Sequence, residues 1–188
     1  TYRQIDKTKW DACIDSAPNG LVYAYSYYLD SMAKNWDALV LTEGPATSAG
    51  YVAVMPLTWN KKYGIHYLYQ PAFTACLGIF GRNISVETVN RFLLAIPPRF
   101  KYWDIYFNPV NLFKPVDFEL YERMNYVLNL NSAYDDIYRA FRNNIKRNIK
   151  KSEKLHHVIN KNIALAEVIL LVREQARHFA AMAAGDFD

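Results

Sequence analysis

The chain has 188 residues, 52% hydrophobic and 21% charged, a globular balance that excludes disordered, collagenous and coiled-coil classes. No run reaches the ~18–20 uncharged apolar residues of a membrane span, because the best candidate, 163–172, is short and interrupted by Glu167. Two cysteines, Cys13 and Cys76, with no CxxC and no Cys/His cluster, exclude a disulfide framework and a zinc site; with no apolar signal core at the N-terminus, the expectation is a reduced, cytoplasmic protein.

In chain order, Asp6 is placed to cap a first helix whose apolar positions Trp10, Cys13 and Ile14 fall on one stripe, and Pro18-Asn19-Gly20 ends it. A second helix starts after Ser26 and runs through Tyr28, Leu29, Met32 and Ala33. The period then changes to two. Segments 38–42 and 51–57 read as strands, residues 60–64 as a turn and 65–70 as a further strand, so 36–70 forms an antiparallel meander. Leu77-Gly78-Ile79-Phe80-Gly81 lacks the Lys-Ser/Thr of a phosphate loop and reads as a turn. Residues 87–95 form a short helix with Val89, Phe92 and Leu93 on one side, stopped by Pro97-Pro98. Residues 102–108 alternate Trp103, Ile105 and Phe107 against Tyr102, Asp104 and Tyr106, the pattern of a half-buried strand, and 126–130 reads as another.

Ser132-Ala133-Tyr134-Asp135 resembles a capping box with Asp in place of Glu, and opens the best-defined helix, 133–155. Ile137, Phe141, Ile145 and Ile149 are its expected buried stripe, while Arg139, Arg142, Lys146, Lys150 and Lys154 fall within an arc of about 120° on the other side. Of the net charge of +4, this one segment carries all: it has 7 basic and 3 acidic groups, against 12 and 11 in residues 1–132 and 3 and 4 in residues 156–188. Beyond it, 157–159 reads as a short strand and 164–182 as a helix with Ile169, Leu170 and Phe179 partly inward. These elements are too few to bury two helical stripes. The expectation is one complete domain, 1–125, and the beginning of a second, 126–188, that is incomplete within this sequence.

No histidine has a partner at metal-binding spacing, and neither HxxxH nor HExxH occurs, so no metal is assigned. Serine and cysteine nucleophile elbows are absent, and the catalytic residue stays unknown. The basic helix face is the strongest signal, open to two readings: a solvated surface, or an anion site in which guanidinium forks and ammonium groups meet phosphates beside Asn143, Asn144 and Asn148. A nucleic-acid groove combines such charge with exposed aromatics, which chain position alone does not place. The run Tyr67-Leu68-Tyr69-Gln70-Pro71 is ordinary strand packing or, at Tyr69 and Gln70, a substrate-facing strand end.

Several stretches together carry a likeness. Tyr25-Ser26-Tyr27-Tyr28-Leu29-Asp30, Val54-Met55-Pro56-Leu57, Lys62-Tyr63-Gly64-Ile65 and Tyr69-Gln70-Pro71 with Leu77-Gly78 resemble the first half of Fem-like proteins of the acyl-CoA N-acyltransferase (GNAT) superfamily. Tyr126-Val127-Leu128-Asn129-Leu130, followed by Arg142-Asn143-Asn144-Ile145-Lys146-Arg147-Asn148-Ile149-Lys150-Lys151, resembles the strand and basic helix opening the second domain of that group. The resemblance implies an α/β fold with a GNAT-like mixed, largely antiparallel sheet flanked by helices. It implies transfer of an acyl or aminoacyl group, from acyl-CoA or aminoacyl-tRNA as donor substrate, to an amine acceptor that is a small molecule or a cell-wall precursor, with tRNA a possible partner. It also implies that Arg142, Lys146 and Arg147 lie near the phosphate-bearing substrate, and that Lys34 contacts substrate. The acyl-CoA pyrophosphate pattern, [Arg/Gln]-x-x-Gly-x-[Gly/Ala], does not occur in the 188 residues. A non-catalytic module binding RNA, a phosphorylated metabolite or a lipid headgroup through helix 133–155 is the alternative, and a pseudoenzyme keeping only the fold is a third.

Overall fold

The computed structural model describes residues 5–43, 50–112, 119–155 and 161–176. The chain divides into two compact units, Thr1–Arg123 and Met124–Asp188. The first is a mixed α/β unit.

Helix α1, Lys7–Ser16, begins where expected: the Asp6 side chain accepts the Lys9 N–H at 3.1 Å, and Trp10, Cys13 and Ile14 are buried. After a single 3-10 turn at Val22–Ala24 comes α2, Ser26–Met32. Tyr25 at its N-cap supplies no side-chain bond. Instead Asp11 on α1 accepts both the Ser26 N–H and the Ser26 hydroxyl at 2.8 Å. One helix thus caps the next, and the carboxylate also complements the positive end of its dipole.

Strands β1 (Trp36–Thr42), β2 (Tyr51–Lys62) and β3 (Ile65–Tyr69) form the antiparallel meander. The turn expected over 60–64 shrinks to Tyr63-Gly64: Lys62 faces Ile65 directly, and the two turn residues have φ of 51° and 82°. Two successive positive φ values match the right-handed strand twist, so a two-residue hairpin suffices and residues 60–62 stay in the strand. Pro56 fits inside β2 for a related reason. The Trp59 N–H points toward β1, donating to the Asn35 carbonyl at 2.9 Å, so by alternation the Pro56 nitrogen points the other way, where Met55–Thr58 has no paired strand among the described residues.

Helix α3 (Val86–Leu94), capped by the Ser85 hydroxyl at 3.2 Å from the Thr88 N–H, leads past Pro97-Pro98 into β5 (Phe100–Asp104). β5 pairs parallel with β3, and α3 is part of the crossover that a parallel pair requires. It starts two residues earlier than the alternation implied and ends at Asp104, although Trp103, Ile105 and Phe107 still pack inward. The sheet order is β1-β2-β3-β5, with β4 (Phe80–Gly81) on β2. β2 is the hinge of the layering: Ala53, Met55 and Leu57 join α3 in one core, while Val54, Leu77 and Phe80 join Trp10, Cys13, Ile14 and Leu29 in another. Alternate residues of one strand therefore feed opposite faces, with α1 and α2 covering one and α3 the other.

The turn expected at 77–81 is instead a fully buried segment that includes β4. Leu77, Ile79 and Phe80 are at most 1% exposed. Their backbone is bound by three buried asparagines. Asn19 donates to the Ile79 carbonyl (2.9 Å) and accepts from Gly81; Asn108 donates to the carbonyls of Leu77 (3.1 Å) and Ile79 (3.2 Å); Asn111 accepts from Ile79 N–H (2.8 Å) and donates to its carbonyl (2.9 Å). A carboxamide carries both donors and acceptors, so it can pair both kinds of backbone group that the short β4 ladder and the Leu77–Phe107 bridge leave over. Asn108→Ala is expected to lower unfolding free energy by about 2–3 kcal/mol, from lost bonds and the volume vacated. The isosteric Asn108→Asp should cost at least as much, since it keeps the volume but turns donors into acceptors against carbonyls; urea melts of both variants check this, and a near-neutral Asp would contradict it.

In the second unit the expected strand 126–130 does not form. Tyr126 is 85% and Val127 82% exposed, and among the described residues of this unit nothing pairs with them, so no ladder satisfies their backbone. The expected helix 133–155 is two helices, α4 (Tyr134–Ala140) and α5 (Asn143–Glu153). Phe141 (ψ 143°) and Arg142 (ψ 153°) between them are extended. The stripe that would hold one continuous helix is not buried: Ile137, Phe141 and Ile149 are half-exposed and Ile145 is exposed. Without that packing local preference decides, and Asn143-Asn144 favours a fresh start; Asn144 Oδ1 accepts the Ile145 N–H at 2.8 Å. The capping box does not form either, since the α4 N-cap is Ala133 with no side-chain bond. Helix α6 is Leu165–Ala176, with Ile169 half-buried but Leu170 63% exposed rather than inward. The expected strand 157–159, Phe179 and the end of the last helix lie outside the described residues. Among the described residues no helix is long and apolar enough to cross a membrane.

Candidate anion-binding site

The break at 141–142 redraws the cationic face. Arg139 stays on α4, where it pairs with Asp136, and Arg142 becomes the α5 N-cap without a side-chain cap bond. What remains on α5 is tighter: Asn143, Lys146, Arg147, Lys150, Lys151 and Lys154 recur at spacings of three and four, within an arc of about 140°. With Tyr138 of α4 they line a shallow surface depression of ≈ 600 Å³. Lys146 ties the two helices together. Its Nζ donates to the Arg139 carbonyl at 2.8 Å, satisfying an orphan carbonyl at the α4 terminus, and lies 5.8 Å from the Tyr138 ring centroid.

Among the described residues the five cations of this face lack carboxylate partners, whereas Lys7, Arg99 and Arg139 pair with Asp30, Asp37 and Asp136. Glu153 falls at the margin of the face. Like charges at i,i+4, as in Lys146/Lys150, Lys150/Lys154 and Arg147/Lys151, each destabilise a helix by about 0.2–0.5 kcal/mol. Lys150 and Lys151 recover part of that in the last turn, against the negative end of the dipole. A bound polyanion removes the remaining repulsion, so the face gains from a ligand that a neutral helix surface would not.

Of the residues singled out in sequence, Lys146 and Arg147 lie together in the depression, whereas Arg142 does not line it. Lys34, Tyr69 and Gln70 belong to the first unit. The Lys34 backbone N–H donates to the Tyr69 hydroxyl at 3.0 Å while its side chain is exposed. Gln70 is spent on the fold: its Oε1 accepts the Tyr106 N–H at 3.0 Å and its Nε2 donates to the Thr74 carbonyl at 2.9 Å. Sequence reasoning passed over Tyr138 and Lys151 as site members. Lys151 follows the spacing of Arg147, a signal that was legible; Tyr138 enters only because α4 ends where it does. Neither thiol is poised as a nucleophile: burial pushes Cys13 up to about 11 and also raises Cys76.

Comparison of the chain with protein families, with curated proteins and with solved structures found no match.

Proposed function

We propose that this chain serves in the transfer of an acyl or aminoacyl group to an amine, with the α5 face receiving the phosphate-bearing part of the donor, acyl-CoA or aminoacyl-tRNA. The observation that carries the proposal is the set of five carboxylate-free cations on one face of α5; the likeness of the Arg142–Lys151 stretch and of the first-unit motifs to Fem-like acyltransferases supplies the chemistry. In that reaction the amine nitrogen attacks the carbonyl carbon, a C–N bond forms, and the C–O bond of the ester or C–S bond of the thioester breaks. The amine proton ends on the departing hydroxyl or thiol. Such a step needs orientation and charge stabilisation rather than a covalent enzyme intermediate.

A second reading, a non-catalytic anion-binding module, draws support from Gln70 and Tyr69, whose polar atoms are used within the fold. Isothermal titration separates the two. The transferase reading expects this chain to bind acetyl-CoA or an aminoacyl-tRNA more tightly than the corresponding free CoA or deacylated tRNA. Equal affinity for acylated and deacylated forms supports the module, and no heat with any of them overturns both.

A further inference from the structure

The α5 cations explain attraction to phosphate but do not say what the phosphates carry. The adjoining helix does. Tyr134 and Tyr138, one turn apart on α4, have ring centroids 5.9 Å apart at an interplanar angle of 33°. Tyr134 is 62% exposed, and Tyr138 lines the same depression as Asn143, Lys146 and Arg147. Tyr138 is half-buried beside the exposed Tyr134 ring, and solvent-reachable aromatic rings beside a cation row are the two components by which proteins hold single-stranded nucleic acid: rings stack bases and cations track the backbone. Inorganic polyphosphate has no use for the rings, and a duplex hides its base faces.

We propose that α4 and α5 together form a single-stranded nucleic-acid site, with the Tyr134–Tyr138 pair as the base-stacking platform and Lys146, Arg147, Lys150, Lys151 and Lys154 along the sugar–phosphate backbone. This deepens the preceding reading and rests on its assignment of α5 as the anion face. The cations run over about 12 Å of helix, a length that admits only a short stretch of strand. Asn143, in the same depression, offers both a donor and an acceptor to a base edge or sugar. Lys146 does not obstruct stacking: an exposed ammonium over a ring is worth about two- to fivefold in an equilibrium, whereas a stacked base is worth about five- to a hundredfold, and a phosphate draws the same ammonium away.

The test uses the whole 188-residue chain and three fluorescently detected probes: a 12-nucleotide single-stranded RNA of mixed sequence, its 12-base-pair duplex, and inorganic polyphosphate. Expected is tighter binding of the single strand than of the duplex. The Tyr134→Ala/Tyr138→Ala variant should weaken the single strand about tenfold or more while leaving polyphosphate within twofold, and Tyr134→Phe/Tyr138→Phe should restore it, because stacking needs the ring and not the hydroxyl. Equal loss for all three probes, or no loss for the single strand, overturns the stacking platform while polyphosphate binding leaves the anion face standing. Failure to bind any probe overturns both.

Discussion

Gly78→Ala is expected to be strongly damaging to the first unit, lowering its unfolding free energy by about 3–5 kcal/mol. Gly78 has φ +97°, which L residues rarely adopt, and a Cβ there would stand 2.3 Å from Asn111 Oδ1 and 2.7 Å from Phe107 Cδ1. Neither neighbour can yield cheaply. Asn111 holds both the N–H and the carbonyl of Ile79, and Phe107 packs on the core around α3. Displacing them breaks buried hydrogen bonds of about 1 kcal/mol each and leaves backbone groups unpaired, on top of the conformational strain. Against a typical total of about 5–15 kcal/mol, that removes much of the stability, and a thermal midpoint about 10–20 °C lower is expected. Gly64→Ala is the internal control: φ is +82° but nothing lies within 4 Å of its Cβ, so only strain of about 1–2 kcal/mol applies. Calorimetry of the two variants separates clash from strain. Equal losses would mean that the contacts of the 77–81 segment contribute little.

Reversing charge on α5 is the functional counterpart. Lys146→Glu/Lys150→Glu places two anions one turn apart in the middle of the cation face, taking its five cations down to three beside two carboxylates. Polyanion affinity at low salt is expected to fall by about a hundredfold or more, through lost phosphate contacts and new repulsion. Helix content should hold, because the repelling Lys150/Lys154 pair becomes an attractive Glu/Lys pair at i,i+4, which offsets the like charges that remain at 146 and 150. Circular dichroism beside binding isotherms checks both halves. Lost binding with retained helix is the expected pair of results; retained binding would move the anion site elsewhere.

Much of the first unit was legible in sequence because local and tertiary preferences agree there. Asp6 caps α1, the Trp10, Cys13, Ile14 stripe is buried, and the change of period near residue 36 marks the meander. The 77–81 segment was not legible. Two glycines in five residues read as a turn, and its burial depends on Asn19, Asn108 and Asn111, which are distant in sequence and look like loop residues. The short turn at Tyr63-Gly64 was hidden by Asn60, Lys61 and Lys62, polar residues on a strand end that is exposed. In the second unit the reading of 126–130 and 133–155 followed patterns that need a partner surface. Their apolar residues remain exposed or half-exposed among the described residues, so the strand lacks its ladder and the long helix divides at Phe141 and Arg142. The basic character of 142–154 was legible throughout, since charge spacing survives the break. The rings that flank it were not, because the relation of Tyr134 and Tyr138 to α5 is set by two extended residues that no periodicity announces.

The anion face is most directly tested by the salt dependence of single-stranded RNA binding. If three to five phosphates are neutralised on α5, the logarithm of the association constant falls with the logarithm of salt at a slope of about −2 to −3.5, at roughly 0.7 per contact. Lys146→Glu/Lys150→Glu should flatten that slope to near −1 or abolish binding, while Gly64→Ala, far from the cations in sequence and in the other unit, should leave it unchanged. A slope near zero for the wild-type chain, or an identical slope in the α5 variant, would contradict the assignment of Lys146, Arg147, Lys150, Lys151 and Lys154 as the site.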